Sequence, residues 1–150
     1  MGWRIGVTLL VGLMFFAPLP SSAYQRGTAQ EAQTLLEKAI ARYKEVGAAQ
    51  IFAEINDGRS FVDRDLYVVV IGPDSKVVAN GASPTAVGDT MLHMKDGSGK
   101  LFGDEILAAT TEGIWVDYVW RNHFNRKWEH KSSLAKRVDD YTFVCGYYKP

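Results

Sequence analysis

The stretch from Gly113 to Lys131 combines large aromatic side chains with a cation. Trp115, Tyr118 and Trp120 lie within six positions of one another, and a polar run follows them and ends at Lys131. Phenol and indole groups can donate hydrogen bonds, and a lysine removed from water binds an anion strongly. These groups suit a small organic anion, provided that the fold gathers them around a space; the alternative is that they only build a core.

Thiol and metal chemistry find little support in the sequence. Cys145 is the only cysteine, so no internal disulfide can form, and it lies in an apolar run typical of a buried strand. The histidines His93, His123 and His130 have no spacing that favours a metal site or a catalytic partner for Cys145. The sequence therefore predicts no metal and no cofactor.

The acidic residues form no recognisable catalytic arrangement. Asp96, Glu105 and Asp117 are isolated in the sequence, and no nucleophile, base and orienting group share a known pattern. The segment DGSGK at 96–100 lacks the acidic alternation and the final glutamate of a calcium loop, so it is interpreted as a turn. We expect that the protein is not an enzyme.

The composition is that of one globular domain. The chain has 150 residues, of which 47% are hydrophobic and 12% aromatic, and this is enough to bury a core. Seventeen basic residues balance seventeen acidic ones, so the chain lacks the positive field of a nucleic-acid binder. Nucleic acid is excluded as a partner on this ground.

The first 23 residues have the pattern of an export signal. Arg4 precedes an apolar run from Ile5 to Ala17, and the small residues Ser21 and Ala23 occupy the positions that a signal peptidase reads. Cleavage after Ala23 predicts a periplasmic or secreted protein without a membrane span. Retention of the segment as an anchor is the alternative, although the run is short for a transmembrane helix.

A helical pattern opens the rest of the chain. Thr28 and Glu31 form a capping box, in which each side chain satisfies a free backbone amide of the other residue. Gly47 divides the pattern into a long first helix and a shorter second one. One apolar stripe runs through both parts: Ala32, Leu35, Leu36, Ala39, Ile40, Tyr43, Ile51, Phe52 and Ile55.

The periodicity then changes from 3.6 to 2, which predicts a sheet. Turn-forming residues separate runs of β-branched and aromatic residues, and the short connections of the first and last pairs predict hairpins. The sheet is therefore expected to be mostly antiparallel. The five predicted strands are 66–71, 76–79, 113–120, 128–138 and 141–148.

Several strands are apolar at both parities, so the sheet must be covered on both faces. The long helix can cover one face. Only the excursion at 80–112, with one short helix predicted at 104–112, is available for the other face. Because a loop rarely packs as densely as a layer of regular structure, this arrangement predicts a cavity beneath the excursion.

Six short motifs resemble, in order, those of one family of sensor domains. They are GxxFxxxDLYV from Gly58, VVAN with a later glycine at Gly88, KD and GKxF from Lys95, WVDYxW from Trp115, KSS from Lys131, and a terminal GxY at Gly146. In this order they resemble a single Cache domain of the second type over residues 24–150. Cache domains are extracytoplasmic, PAS-like sensor modules used in signal transduction, including chemotaxis.

The resemblance implies an α+β fold and a ligand. A long N-terminal helix would pack on a five-stranded antiparallel PAS-like sheet, with a loop and a short helix covering the ligand face. The family order places strand 128–138 inside the sheet, although its polar residues alone indicate an edge. Relatives bind small organic anions such as short carboxylates. Asn122-His123 replaces the usual Asn-Pro and Leu134 replaces a tyrosine, so we expect a different ligand.

Seven residues are the candidates for contact with such a ligand. Tyr118 and Trp120 share a strand face, and Lys131 approaches them from the next strand. Each candidate has a structural alternative: Trp115 is on the other parity and could pack on the long helix, and Lys131 could be a solvated charge. The full set is Tyr67, Asn80, Met91, Trp115, Tyr118, Trp120 and Lys131.

Two functions follow from these patterns. We expect a freestanding periplasmic sensor domain that binds a small organic anion and relays the signal to a membrane-bound signalling or transport partner. The alternative is a protein-interaction module with a vestigial pocket, which would dock through the charged face of helix 28–46.

Overall fold

The computed structural model describes residues 24–150. The predicted export signal and its cleavage after Ala23 lie outside the described residues. Among residues 24–150, no helix has both the length and the apolarity needed to cross a bilayer.

Two consecutive helices open the fold as the sequence predicts. Helix α1 spans Ala29–Val46 and helix α2 spans Ala48–Asn56. The capping box is present, because the Glu31 backbone amide donates to Thr28 Oγ1 and the Thr28 amide donates to Glu31 Oε2. Gly47 separates the helices with φ of 81°, a conformation that glycine adopts without a steric cost.

The helices pack on an antiparallel sheet of six strands. The prediction of five strands was wrong by one, because the two-residue strand β1 is too short to show a periodicity. The strands are β1 (Val62–Asp63), β2 (Leu66–Ile71), β3 (Val77–Asn80), β4 (Ile114–Arg121), β5 (Trp128–Val138) and β6 (Tyr141–Tyr148). Their order is β1-β2-β6-β5-β4, and β3 also pairs with β2, so β5 is an interior strand.

Side-chain alternation divides the interior into two cores. On one face of the sheet, α1 and α2 bury their apolar stripe against β2, β5 and β6. The even-numbered residues of β2 and the odd-numbered residues of β6 supply this helix-side core. Its largest fully buried side chains are Leu36, Ile51, Ile55, Leu66, Val68, Val70 and Phe143.

The opposite face lies under a segment that we call the cover, residues 81–112. It contains a 3-10 turn, Pro84–Ala86, and one short helix, α3, at Phe102–Leu107. The helix prediction at 104–112 was therefore displaced. Phe102 and Ile106 are one helical turn apart and both are buried toward the sheet, and Gly103 is so close to Met91 that a Cβ there would overlap the Met91 carbonyl.

Residues 24–28 form a strap that ties the start of α1 to the β4–β5 hairpin. Arg26 makes a bidentate ion pair with Glu129 at 2.8 and 2.7 Å, and Tyr24 stacks on Phe124 with ring centroids 4.1 Å apart. The Gly27 amide donates to buried Asp65 at 2.7 Å. The strap thus connects the first helix, β2 and the hairpin at one end of the sheet.

Asp96 fastens the cover to β4. One of its carboxylate oxygens accepts from the Val119 amide at 2.7 Å, and the other accepts from Ser98 and from the Lys100 amide at 2.7–2.9 Å. Burial by itself raises the pKa of Asp96, but these hydrogen bonds outweigh burial and hold the pKa well below its usual value. The interpretation of 96–100 as a turn is confirmed.

We predict that Asp96→Asn lowers the free energy of unfolding by about 1–3 kcal/mol, because one acceptor oxygen becomes an amide group that faces a donor. Since folding lowers the pKa of Asp96, its stabilising contribution is present above the unfolded value of about 3.9 and is lost as the pH falls through the folded value. Urea denaturation at pH 7 and at acidic pH measures both effects.

Exposed Asp74 provides the control, because among the described residues its side chain accepts only from the Lys76 amide, at 3.2 Å. Asp74→Asn should change stability by no more than about 0.5 kcal/mol. Equal losses for the two variants would contradict the role given to Asp96.

Candidate ligand-binding site

A cavity of about 160 Å³ lies between the cover and the sheet. Most of the side chains that surround it are aliphatic or aromatic. They come from β2, β3, β4 and β6 on the sheet side and from the 3-10 turn, the following loop and α3 on the cover side. The lining residues are Tyr67, Val69, Ile71, Val77, Asn80, Ala86, Asp89, Met91, Met94, Phe102, Ile106, Tyr118, Trp120 and Val144.

Strand alternation places the sheet-side residues. Tyr67, Val69 and Ile71 are alternate residues of β2, and Tyr118 and Trp120 are alternate residues of β4, so each set points to one face. The pairing of β2 with β6 puts Val144 directly opposite Val69. Regular strands therefore build the floor of the cavity.

An aromatic cluster closes one side of the cavity. The Phe102 ring stacks on Tyr118 with centroids 4.2 Å apart and lies 5.2 Å from the Trp120 ring. The Tyr118 hydroxyl is hydrogen-bonded to Ser133 Oγ at 2.8 Å, and burial raises the pKa of this phenol. The stacked ring and the hydrogen bond thus fix the position of the Tyr118 side chain in the wall of the cavity.

Lys131 is buried on the same face of the sheet, with only 2% of its surface exposed. Its Nζ lies 3.9 Å from the centroid of the Tyr67 ring and 4.7 Å from that of Tyr148, which are cation–π distances. Gly146 gives the side chain its room, because a Cβ at that position would lie 2.9 Å from Lys131 Cε. Burial lowers the pKa of Lys131.

The Tyr67 ring belongs to both environments. It lines the cavity, and it contacts the Lys131 ammonium. Lys131 itself is not among the residues that line the cavity. Tyr67 therefore contacts both the buried cation and the space that a ligand would fill.

A second, more polar space adjoins the cavity, and we call it the cationic groove. It has a volume of about 360 Å³ and shares Tyr67, Asn80, Ala86 and Trp120 with the cavity. Its other lining residues include the basic residues of the β4–β5 hairpin: Arg121, His123 and Arg126.

His123 is the most buried base of the groove. Its ring meets the Tyr67 ring edge to face at 5.0 Å, and its buried Nδ1 has no hydrogen-bond partner among residues 24–150. Burial lowers the pKa of His123, and the charge of Lys131 lowers it further. The imidazole is therefore neutral at pH 7, and the two arginines carry the positive charge of the groove.

The structure brings together five of the seven residues predicted from the sequence. Tyr67, Asn80, Met91, Tyr118 and Trp120 line the cavity. The Asn80 side chain also accepts from the Ala82 and Ser83 amides at 3.0 and 2.9 Å, so it makes the turn that the sequence allowed as its alternative role. Lys131 contacts the Tyr67 ring and does not line the cavity.

Trp115 is corrected, because the structure does not place it at the cavity. It is 44% exposed and packs edge to face on Tyr147 at 5.9 Å, beside the start of α1. The reason is strand alternation. Tyr118 and Trp120 are even-numbered residues of β4, whereas Trp115 is odd-numbered and so points to the opposite face of the sheet. The prediction of Trp115 as a contact in this cavity was wrong, and its alternative position on the helix side describes its place in the fold.

Comparison with known families identifies the fold. The family model described as "Single Cache domain 2" matches residues 21–148. The chain belongs to this family. The resemblance drawn from the six motifs is thereby confirmed.

Solved structures of chemotaxis proteins have the same fold at low sequence identity. A methyl-accepting chemotaxis protein from Vibrio parahaemolyticus RIMD 2210633 superposes with a TM-score of 0.68 at 14% identity, covering 79% of this chain and 86% of that one. A periplasmic sensor domain of a chemotaxis protein gives a TM-score of 0.58 at 18% identity, covering 81% and 90%.

A third structure is titled "Structural basis for carboxylic acid recognition by a Cache chemosensory domain". It superposes with a TM-score of 0.58 at 17% identity, covering 81% of this chain and 88% of that one. A search of curated proteins found no significant match.

The two departures from the Cache motifs lie in different places. Leu134 is in the helix-side core, so its change from tyrosine does not alter the cavity wall. Asn122 is buried and ties the hairpin, because its side chain accepts from the Phe124 amide at 2.9 Å and donates to Glu129 at 2.9 Å. His123 lines the cationic groove, so only this departure meets the candidate site.

Sequence reasoning missed much of the lining of this Cache cavity. Val69 and Ile71 share the parity of Tyr67, so alternation could have found them. Phe102 and Ile106 are four residues apart, which is the spacing of one helix face, but the misplaced helix hid this signal. Arg121 is the last residue of β4 and Arg126 lies in the turn before β5, so these two arginines belong to no periodic pattern.

The described residues of this Cache domain show no catalytic thiol or metal cluster. Cys145 is buried in the sheet, and burial raises the pKa of its thiol to about 12, so it stays protonated. No group of three or more His, Cys, Asp or Glu residues within 24–150 is placed to hold a metal ion.

We predict that Lys131→Met raises the free energy of unfolding at pH 7 by about 1 kcal/mol or more, because it replaces a buried charge by an apolar group of similar length. Burial lowers the pKa of Lys131, so protonation opposes folding below the ordinary lysine value of about 10.4. The advantage of the variant should therefore shrink as the pH rises toward 10. Chemical denaturation of both proteins from pH 7 to pH 10 measures this difference in the free energy of unfolding.

Lys127→Met, at an exposed site of the hairpin, is the matched control and should show no such pH dependence. A loss of stability in Lys131→Met at pH 7 would mean that the contacts with the tyrosine rings outweigh the cost of burying the charge.

Proposed function

We propose that this chain is a periplasmic sensor domain that binds a small organic anion, a short carboxylate, in the cavity under the cover, and relays binding to a membrane-bound signalling partner. The observation that carries the proposal is the apolar cavity of about 160 Å³ between the cover and the sheet. A cavity of roughly 150 Å³ in another protein binds benzene, so a ligand with about six non-hydrogen atoms would fill this one.

The charges around the cavity support an anionic ligand. Lys131 is buried beside Tyr67, and Arg121 and Arg126 line the adjoining groove. Asp89 is the one acidic residue among the described residues that line either space. Positive charge therefore predominates, and it would favour a carboxylate over a cation.

The strap supports a relay of the binding event. Arg26 of the strap pairs with Glu129 of the β4–β5 hairpin, and the same hairpin carries Arg121 and Arg126 of the groove. The C-terminal end of β6 lies at this hairpin too, since the Lys149 amide donates to the His130 carbonyl at 2.8 Å. A ligand in the groove would therefore contact the hairpin to which both the N-terminal strap and the end of β6 are hydrogen-bonded.

The alternative of a pure interaction module has less support, because some of the charges on α1, such as Arg42 and Glu31, are paired within the chain. Arg42 bonds to Glu54 of α2 at 2.7 Å, and Arg64 bonds to Glu31 at 2.7 Å. A partner that docks on this face would have to compete with existing pairs. We propose no enzymatic activity, since the lining residues offer no nucleophile with an activating base.

We predict that a screen of short monocarboxylates raises the melting temperature of the protein, since a ligand at 100 times its Kd stabilises the folded state by about 2.7 kcal/mol. Ala86→Phe should abolish this rise, because Ala86 lines both the cavity and the groove and the larger ring would occupy the space. Differential scanning fluorimetry measures both proteins with and without each acid.

Val87→Phe is the matched control, since Val87 is exposed and lies outside both spaces. This variant should keep the full response. The proposal fails if no acid stabilises the protein, or if Ala86→Phe responds as strongly as Val87→Phe does.

A further inference from the structure

We infer that the ligand is a monocarboxylate with an apolar tail, whose tail fills the cavity and whose carboxylate lies outside it, in the cationic groove between Arg121 and Arg126. This inference rests on the proposed function and specifies its ligand and its orientation. It differs from the sequence-based hypothesis, in which Lys131 holds the acid.

The cavity and the groove lie next to each other. Tyr67, Asn80, Ala86 and Trp120 line both of them. The cavity is mostly apolar, with Asp89 as the one acidic residue among the described residues of its lining, and the groove contains Arg121 and Arg126. A molecule that spans the junction would therefore need an apolar end and a charged end.

The interior of the cavity has little to offer a carboxylate. The Tyr118 hydroxyl is already bonded to Ser133, and the Asn80 carbonyl oxygen accepts from two backbone amides. The other two donor-bearing rings, Tyr67 and Trp120, also line the groove, so a carboxylate in the groove has access to them as well. A carboxylate placed among the aliphatic residues would lose its water without gaining comparable hydrogen bonds. An alkyl or aryl tail gains from burial in the same place.

Lys131 cannot compensate for this loss in the arrangement observed. Its ammonium lies 3.9 Å from the centroid of the Tyr67 ring, and Lys131 lines neither the cavity nor the groove. A carboxylate in either space would not contact this buried ammonium unless the side chains around it moved. Lys131 therefore contributes positive potential rather than a direct contact.

The groove has two arginines that are free to bind an acid. Within residues 24–150 neither Arg121 nor Arg126 takes part in a salt bridge, and the only hydrogen bond from the Arg121 side chain uses Nε, to the Arg126 carbonyl at 3.1 Å. The terminal nitrogens remain available. A guanidinium pairs with a carboxylate through two parallel hydrogen bonds.

Asp89 limits the ligand to one acidic group. It lines the cavity, whereas Arg121 and Arg126 line only the groove. A second carboxylate at the end of the tail would lie in the apolar cavity with Asp89 in its wall, so both desolvation and repulsion disfavour it. The chemistry therefore selects monocarboxylates of about five to eight carbons, aliphatic or aromatic, over dicarboxylates.

The test compares acids and variants by isothermal titration calorimetry. Hexanoate and phenylacetate should bind at least about tenfold more tightly than propionate or the dicarboxylate adipate, because only they combine one acid with a tail that fills the cavity. Hexanamide, which keeps the tail and lacks the charge, should bind weakly. Raising the salt concentration should weaken binding of hexanoate and leave hexanamide unchanged.

The double variant Arg121→Gln/Arg126→Gln should lower affinity for hexanoate by about tenfold or more and leave affinity for hexanamide unchanged. The pair Arg59→Gln/Lys127→Gln removes the same charge from exposed sites outside the groove, and it should change affinity less than about twofold. Lys131→Met should keep most of the affinity. Melting curves without ligand verify that each variant is folded.

Two results would overturn the inference. If Lys131→Met abolishes binding of hexanoate and the double arginine variant retains it, the carboxylate lies at Lys131; the proposed sensor function then still stands. If propionate binds as tightly as hexanoate, the tail does not occupy the cavity. Failure of every acid to bind would instead refute the proposed function itself.

Discussion

A sheet with apolar side chains on both faces must be covered on both faces, and this constraint organises the whole molecule. Helices α1 and α2 supply a dense cover on one side, where Leu36, Ile55 and Phe143 are fully buried. The other side has only a loop, a 3-10 turn and a six-residue helix. Because such a cover cannot match the packing of a regular layer, a space remains beneath it. The candidate site is a direct consequence of that unequal covering.

Much of this arrangement could be predicted from the sequence, since the signals are local. The capping box at Thr28, the break at Gly47 and the alternation along β2 and β4 each specify an element without knowledge of the rest. Strand β5 is different, because its polar residues indicate an edge and yet it lies inside the sheet. The polar side chains of Lys131 and Ser133 are accommodated there by the tyrosine rings and by the Tyr118 hydroxyl. Only family knowledge gave the correct order.

The details of the site depend on contacts between strands, which no local pattern contains. Lys131 shares its face with the cavity, as its parity indicates, but Gly146 on the neighbouring strand lets its side chain lie flat under Tyr67. Which residue opposes which is a matter of register, and register was not available from the sequence. The arginines of the groove were missed for the same reason. They line the groove together with Asn80 of β3 and Ala86 of the cover, which are far from them in the sequence.

The β4–β5 hairpin is where ligand binding and the ends of the domain meet. Its Glu129 has a pKa lowered to about 2, first by hydrogen bonds from Arg26 and then by those from Asn122 and Asn125, so it is ionised throughout the physiological range. The hairpin thus presents a carboxylate to the strap on one side and, on the other, two arginines that form no salt bridge with any residue in 24–150. An anion in the groove would draw those arginines toward the cavity mouth. Because Asn122 joins Glu129 to the turn between the arginines, a shift of the turn would be transmitted to Glu129 and so to the strap that leads into α1.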